Sequence, residues 1–380
     1  MKVLHIVPFY KPAYIYGGPI ASVGKLCESE ARYGAEVKVL TTNANGKTEN
    51  LKVETNKFVD VSGVEVFYFN SMTNNNTFIS FGLWKYVMQH GNKFDIVHIH
   101  SWWNFLVLGA TFLCRLKGIK VVLSPRGMLS DYIFNSTNSG VKHKLHNLFG
   151  RRLLKSTIFN ATSEQEYKEC KALIPGWKGF TIPNIIDLPD LDIVKVNNPV
   201  FTISFLSRID PKKGLEFVFE AISLLNFKVK LRIAGVGEEE YIKTLKELAI
   251  SYGIADQIEW IGWIGPDKKF QELMSADLFV LASYNENFAN VVIESLYVGT
   301  PVLISAQVGL SSYVKQSDLG WIVDLNAKDI ADNISSAAMF SDKKTSINTN
   351  AHYQIKEEFS AQVLVKKYLE VYDKIIKNTL

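Results

Sequence analysis

Short apolar runs and longer amphipathic stretches alternate along almost the whole chain. Residues 3–7, VLHIV, open the series, and runs at Val37–Thr41, Val64–Phe69, Asp95–His100, Lys120–Leu123 and Thr157–Asn160 continue it. These runs are too short for helices and rich in Val and Ile, which predicts strands. Their near-continuous hydrophobicity predicts burial on both faces, as in a parallel sheet. Helical spacing fills several of the gaps, for example from Ile20 to Arg32. A Pro- and Asp-rich connector from Ile182 to Pro199 interrupts the rhythm, which then resumes with strands at Phe201–Leu206, Lys228–Ala234, Gln257–Ile261, Leu278–Leu281 and Thr300–Ser305. An acidic helix follows Gly235-Val236-Gly237 from Glu238 to Tyr252, and helical patterning runs from Ala327 to a last helix at Ala361–Ile376. Asn43–Asn56 and Asn70–Thr77 are polar and read as loops. Alternation of this kind predicts an α/β chain of doubly wound, Rossmann-like domains. The expected division is 1–183, 184–360 and a terminal helix in 361–380. The halves share a strand–helix rhythm but no sequence repeat.

Composition narrows this picture. At 380 residues, 47% hydrophobic and 21% charged, the chain is a globular protein with enough apolar residues for two ordinary cores. Cys27, Cys114 and Cys170 are far apart, odd in number and in segments that read as helix, so they predict core thiols and a reducing compartment. The first strand lacks the long apolar region and cleavage site of a signal peptide, and the apolar stretch Phe105–Cys114 falls well short of the roughly 20 residues of a spanning helix. A cytoplasmic protein is expected, in which the Asn-x-Thr triplets at Asn75 and Asn135 are glycosylation sites in form only. Charge is uneven: residues 1–180 carry 22 Lys and Arg against 12 Asp and Glu, a net +10, and the remainder is −6. Within the basic half, Val141–Ser156 places Val141, Leu145, Leu148, Phe149 and Leu153 at helical spacing among Lys142, Lys144, Arg151, Arg152 and Lys155. Such a helix either covers a sheet or lies on an anionic bilayer.

The stretch richest in chemistry is Ser283–Gly299, SYNENFANVVIESLYVG. It follows the strand Leu278–Leu281 and ends in a helical pattern. Glu286 therefore falls in a strand-to-helix loop, and Glu294 about one turn into a helix that starts near Asn287–Asn290. The first backbone N–H groups of that helix, with the positive end of its dipole, would hold an anion such as a phosphate. Two carboxylates beside an anion site repel the anion unless each has a partner, and sugar hydroxyls are suitable partners. The combination points to a nucleotide sugar. The plainer alternative is a solvated carboxylate pair on an ordinary loop and helix.

Glu286-x7-Glu294, with Ser207-Arg208-Ile209-Asp210-Pro211-Lys212-Lys213-Gly214 upstream, closely resembles the retaining glycosyltransferases of the GT-B fold, glycosyltransferase family 4 in particular. The resemblance implies two doubly wound Rossmann-like domains facing across a cleft, joined near Ile182–Asp187, with the terminal helix crossing back to brace the first. Carried over by position, Glu286 meets the donor sugar, Glu294 the ribose, and Arg208 and Lys213 the diphosphate, beside the helix end formed by Asn287, Phe288, Ala289 and Asn290. Gly17 and Gly18 match a Gly-rich loop that touches donor phosphates. Gly262, Trp263 and Ile264 match the segment whose backbone lies against the base. This chain departs from the pattern at Gln307-Val308-Gly309-Leu310, where a Gly-Gly pair is common, and at Arg126, where many relatives carry a His that contacts the donor sugar.

Arg126 stays protonated and so is no base, but it can fix a phosphate or carboxylate on an anionic acceptor or an acidic sugar; the other reading is a surface or ion-paired Arg. His98 and His100 share one strand face by period-2 alternation. No further ligands stand at zinc-like spacing, so His98 is expected to be structural and His100, at the strand's carboxyl end, to reach the acceptor or sugar side. Gly235-Val236-Gly237 is adequately explained as a tight turn.

The implied activity is transfer of a sugar, with retention, from a nucleoside diphosphate sugar to a lipid-linked or surface-polysaccharide acceptor; UDP is favoured and GDP-mannose is the second choice. No metal or other cofactor is expected, because Arg208 and Lys213 neutralise the leaving diphosphate and no DxD pair stands in a suitable setting. The expected partners are the donor, the glycan or lipid-linked acceptor and an anionic membrane at the inner cytoplasmic face, with no nucleic acid. Two other classes share this architecture or these residues: a nucleotide-sugar epimerase, which converts donor alone, and a non-catalytic nucleotide-sugar binding protein.

Overall fold

The computed structural model describes residues 1–46, 49–73, 77–134, 139–196, 198–339 and 341–380, and the side chains of all of these but Ser139, Val141 and Ser341. The triplets at Asn75 and Asn135 lie outside the described residues. The chain divides into two compact units, Met1–Asp187 with Phe359–Leu380, and Leu188–Glu358.

The first unit contains β1 (Lys2–Ile6), β2 (Glu36–Thr42), β3 (Ala44–Asn45), β4 (Glu49–Asn50), β5 (Phe58–Val61), β6 (Val64–Phe69), β7 (Ile96–His100), β8 (Val121–Ser124), β9 (Ile158–Ala161) and β10 (Gly179–Thr181). One sheet runs β10-β9-β8-β7-β1-β2-β6-β5. Its pairs are parallel except β5 with β6. That exception is a hairpin turning at Ser62 and Gly63, both at positive φ, as a two-residue turn between twisted strands requires. β3 and β4 pair as a small antiparallel ribbon inside the stretch that reads as loop. Helices cover both faces. Leu83 and Val87 from one helix and Leu106, Val107 and Ala110 from the next pack on Leu4, Ile6, Val97, Ile99 and Leu123. The opposite face receives the terminal helix Ala361–Ile376, whose Leu364, Val365, Tyr368 and Tyr372 share one stripe and bury against Val3, Leu26, Ile96 and Val122. Each such side chain contributes roughly 2 kcal/mol on burial.

The second unit has β11 (Phe201–Leu206), β12 (Val229–Ala234), β13 (Ile258–Gly262), β14 (Leu278–Leu281), β15 (Val302–Ser305) and β16 (Gly320–Val323). They form an all-parallel sheet in the order β13-β12-β11-β14-β15-β16. The strand order reverses between β11 and β14, as it does between β1 and β7 in the first unit. In open sheets of this kind ligands bind outside the carboxyl ends of the strands at that reversal.

Cys27, Cys114 and Cys170 are free and buried on helices, as their spacing predicts. The amphipathic helix expected over Val141–Ser156 runs on to Leu154 but carries a π-turn in its middle. A helix at Ser139–Leu145 passes into a π-turn at His146–Gly150 and then a short helix at Arg151–Leu154. A π-turn adds a residue to the repeat and rotates the apolar face. Leu148 is therefore 75% exposed and Phe149 40%, while Leu153 and Leu154 are buried.

Candidate functional site

The second unit carries most of the predicted site on the carboxyl edge of its sheet. After β11 the chain runs through Ser207 to Gly214, with Asp210 capping a single helical turn at Pro211–Lys213 by accepting from the Lys212 N–H. Gly214 then turns with φ +66°, and a Cβ there would stand 2.1 Å from the Ala282 carbonyl oxygen. Only glycine lets this loop lie against the one after β14. The two loops also join through Tyr284 N–H to the Lys212 carbonyl at 2.9 Å.

Glu286 accepts a hydrogen bond from the Lys213 ammonium, with both groups largely buried. Its backbone is tied on the far side to the loop after β15: Glu286 N–H donates to Gln307 at 3.2 Å and Gly309 N–H donates to the Glu286 carbonyl at 2.8 Å. The residues at Gln307–Gly309 thus position Glu286 through main-chain contacts. The helix then begins at Asn290, behind Ala289 at φ +64°, and has no side-chain cap. Phe288 is buried, anchoring the turn before it. Glu294 lies in the second turn, buried, and pairs with Lys269 at 2.7 Å. Each carboxylate thus has its own lysine, Glu286 the Lys213 read as a diphosphate ligand and Glu294 the Lys269 that the sequence did not single out.

Arg208 is exposed on the same edge. Lys212, beside Glu286, Lys213 and Arg208, has its pKa lowered by burial, a loss that Glu286 offsets in part. Gly235 and Gly237 form more than a tight turn. Cβ atoms at these positions would meet the Ser207 and Ile209 carbonyl oxygens at 1.8 and 2.0 Å, so the glycines allow the Arg208 segment to lie flat on the loop after β12. That loop continues the edge to Gly262, whose carbonyl accepts from Gly235 N–H at 2.8 Å. Trp263 follows, 71% exposed, with Ile264 beside it. The loops after β13, β12, β11, β14 and β15 are therefore linked by main-chain hydrogen bonds, and Gly262–Ile264, Arg208, Lys213 and Glu286 stand on one edge.

In the first unit, Gly17 (φ +77°) and Gly18 open a fifteen-residue helix after β1, with open space where their side chains would be. His98 and His100 share a strand face, as alternation predicts, and His5 from β1 joins them. Every ring nitrogen of the three has a protein partner. His98 bonds Tyr372 Oη at 2.6 Å and Ser124 Oγ at 2.8 Å, tying β7 to the terminal helix and β8 in a structural role. His5 bonds Glu30 at 2.7 Å and His100 Nε2 at 3.0 Å, and Arg126 Nε–H faces His100 Nδ1 at 3.3 Å. His100 is 1% exposed and its Nδ1 faces Arg126, so its side chain stops short of the reach expected at the strand's carboxyl end. Burial, then neighbouring cationic and histidine groups, hold His98 and His100 well below the usual histidine range, hence neutral.

A neutral imidazole has one lone pair, and at His100 it faces Arg126. The Nε2 proton then donates to His5, and His5 donates to Glu30. Burial opposes a second proton on His5, and Cys27 and Glu30 favour it. That proton would set two donors against each other along the chain to Arg126. The neutral order satisfies every donor and is the one the geometry supports.

Two parallel, doubly wound units, with paired acids and cations on the sheet edge of the second, define the class of GT-B glycosyltransferases. Sequence comparison agrees. The family model described as Glycosyltransferase Family 4 matches residues 16–189, and that described as Glycosyl transferases group 1 matches residues 192–353. The chain belongs to this family of glycosyltransferases. It is 24% identical to an uncharacterized glycosyltransferase, MJ1607, of Methanocaldococcus jannaschii, over 98% of both chains. It is 26% identical to the alpha-monoglucosyldiacylglycerol synthase of Streptococcus pneumoniae, over 75% of this chain and 68% of that one. Among solved structures, HepE of Anabaena in complex with UDP and glucose superposes with a TM-score of 0.72 at 18% identity, covering 98% of this chain and 100% of that one. Among the described residues, no helix is long and apolar enough to cross a membrane.

Proposed function

We propose that this glycosyltransferase moves a hexosyl group from a UDP-sugar to a lipid-linked or surface-polysaccharide acceptor, with retention of configuration. The carrying observation is the Lys213–Glu286 pair at the β11/β14 reversal, with Arg208 on the adjoining loop. Bond cleavage at the donor places negative charge on the leaving diphosphate. Arg208, Lys213 and the start of the helix at Asn290 stand on this edge and stabilise that charge, so protein cations fill the role a metal would have. Glu286 accepts from sugar hydroxyls, and Glu294, held by Lys269, accepts from the ribose. Gly262–Ile264 lines the base. Arg126, with His100 behind it, serves the acceptor or sugar side. Departure of diphosphate and attack on the same face of the sugar give retention.

The UDP preference is supported by the UDP and glucose in the Anabaena relative, and the lipid-linked acceptor by the pneumococcal glycolipid synthase. A basic first half and exposed Leu148 and Phe149 beside Lys144, Arg151 and Arg152 support contact with an anionic bilayer at the cytoplasmic face. Thermal melts with UDP, GDP and their sugars test the donor class, because a ligand that binds only the folded chain raises its Tm. UDP-sugars should give the largest shift; a shift with GDP-sugars alone would reassign the nucleotide, and none with any would remove the reading.

A further inference from the structure

Arg126 is an unusual cation. It follows β8 directly, on the carboxyl edge of the first unit's sheet, and holds a left-handed backbone (φ +53°) that a bulky residue adopts at a cost. Its side chain is half-buried and tied at three points: Nε faces His100, and Nη1 donates to Ser22 Oγ at 3.1 Å and to Asn184 Oδ1 at 2.9 Å. All three acceptors are neutral, and no carboxylate lies within ion-pair distance of it among the described residues. Glu166, whose field reaches Arg126, instead accepts from Gly127 N–H at 2.7 Å and from Thr162 N–H at 2.7 Å and Oγ at 3.0 Å. Glu30 is taken by His5 and Tyr372. The second amino group, Nη2, has no partner among the described residues and is not among the buried unpartnered atoms, so solvent reaches it.

A half-buried charge is normally paired, because desolvation without a counter-ion is costly. Here the fold supplies orientation from three sides and withholds the counter-ion, leaving one outward N–H pair suited to a planar or tetrahedral oxyanion. The positive end of the helix that carries Ser22 adds in the same sense. We propose that Arg126 receives a carboxylate or phosphate carried by the substrate, so that the reaction uses a uronic acid or a phosphorylated sugar or acceptor. The proposal rests on the glycosyltransferase reading of the same edge and specifies its substrate class.

The test is the thermal shift of the full chain and of Arg126→Gln with UDP, glucuronate, glucose 1-phosphate and glucose, the last three at about 10 mM to detect weak binding. Glucuronate or glucose 1-phosphate should stabilise the wild type and glucose should not; which anion acts names the source of the charge. Arg126→Gln should lose at least nine-tenths of its affinity for that anion, while its UDP shift matches wild type. Equal anion shifts in both proteins, or none in the wild type, would overturn the proposal. Loss of the UDP shift in the wild type would instead strike the donor assignment. Should Arg126→Gln fail to fold, Arg126→Lys replaces it: it keeps the charge without the three-point fork, and wild-type anion affinity there would equally count against the site.

Discussion

Removing either partner of the Lys213–Glu286 pair should separate its two roles. The side chains are 12% and 19% exposed, so the pair is partly desolvated and the surface-pair value of under about 1 kcal/mol is too small. Breaking a fully buried pair costs about 3–5 kcal/mol, and residual solvent screening reduces this to about 2 kcal/mol for either single substitution. Lys213→Ala strands a carboxylate and Glu286→Gln strands an ammonium. The double variant strands neither, so a double-mutant cycle by urea unfolding should give a coupling of about 1–2 kcal/mol. With two units in the chain, the cycle is read on the transition that the substitutions move. Turnover should behave differently. If Lys213 neutralises the diphosphate and Glu286 grips the sugar, each variant should lose roughly 10²–10³ in kcat/KM. The double variant should then regain stability without regaining activity. Coupling under about 0.3 kcal/mol would show the contact to be incidental, and full activity in Glu286→Gln with the same donor would remove the carboxylate from the mechanism.

Three other outcomes follow from the same geometry. Lys269→Ala leaves buried Glu294 without its cation and should cost about 2 kcal/mol, with part recovered by adding Glu294→Gln, as denaturant titration would show. Gly214→Ala drives a methyl into the Ala282 carbonyl at a positive φ and should lower stability by more than about 2 kcal/mol, visible as a fall in Tm or in soluble yield. Lys195, which donates to the Met274 and Ala276 carbonyls, has its pKa lowered by burial to about 8. Between that value and the unfolded one the folded chain binds fewer protons than the unfolded chain, so the Lys195 contribution to stability rises with pH above about 8 and falls away as pH drops through it. Lys195→Met should flatten that part of the stability–pH curve, and an unchanged slope would contradict the assignment.

Much of this was legible in the sequence because parallel strands buried on both faces leave dense apolar runs. Leu278–Leu281 and Phe201–Leu206 stand out for that reason, and their order placed Glu286 and Arg208 in carboxyl-edge loops. Three of the edge strands were not legible. β5 is a four-residue run interrupted by Asp60, and β10 and β16 each begin with glycine and span only three and four residues. The Ser62-Gly63 pair was the available hairpin signal. The π-turn at His146–Gly150 was hidden because it alters the repeat without altering composition. The partners of the acids were also hidden. Lys269 is 25 residues from Glu294, and nothing local links them; only the packing of neighbouring helices does. His5 and Glu30 lay in plain apolar-periodic segments, and their convergence on His100 depends on the pairing of β1 with β7.

The most direct test is calorimetric titration of UDP into the wild type, Arg208→Ala and Lys213→Ala. The account predicts measurable binding that weakens at least tenfold in each variant, because each removes a cation from the diphosphate. Unchanged UDP affinity in both variants, with the fold intact, would contradict it.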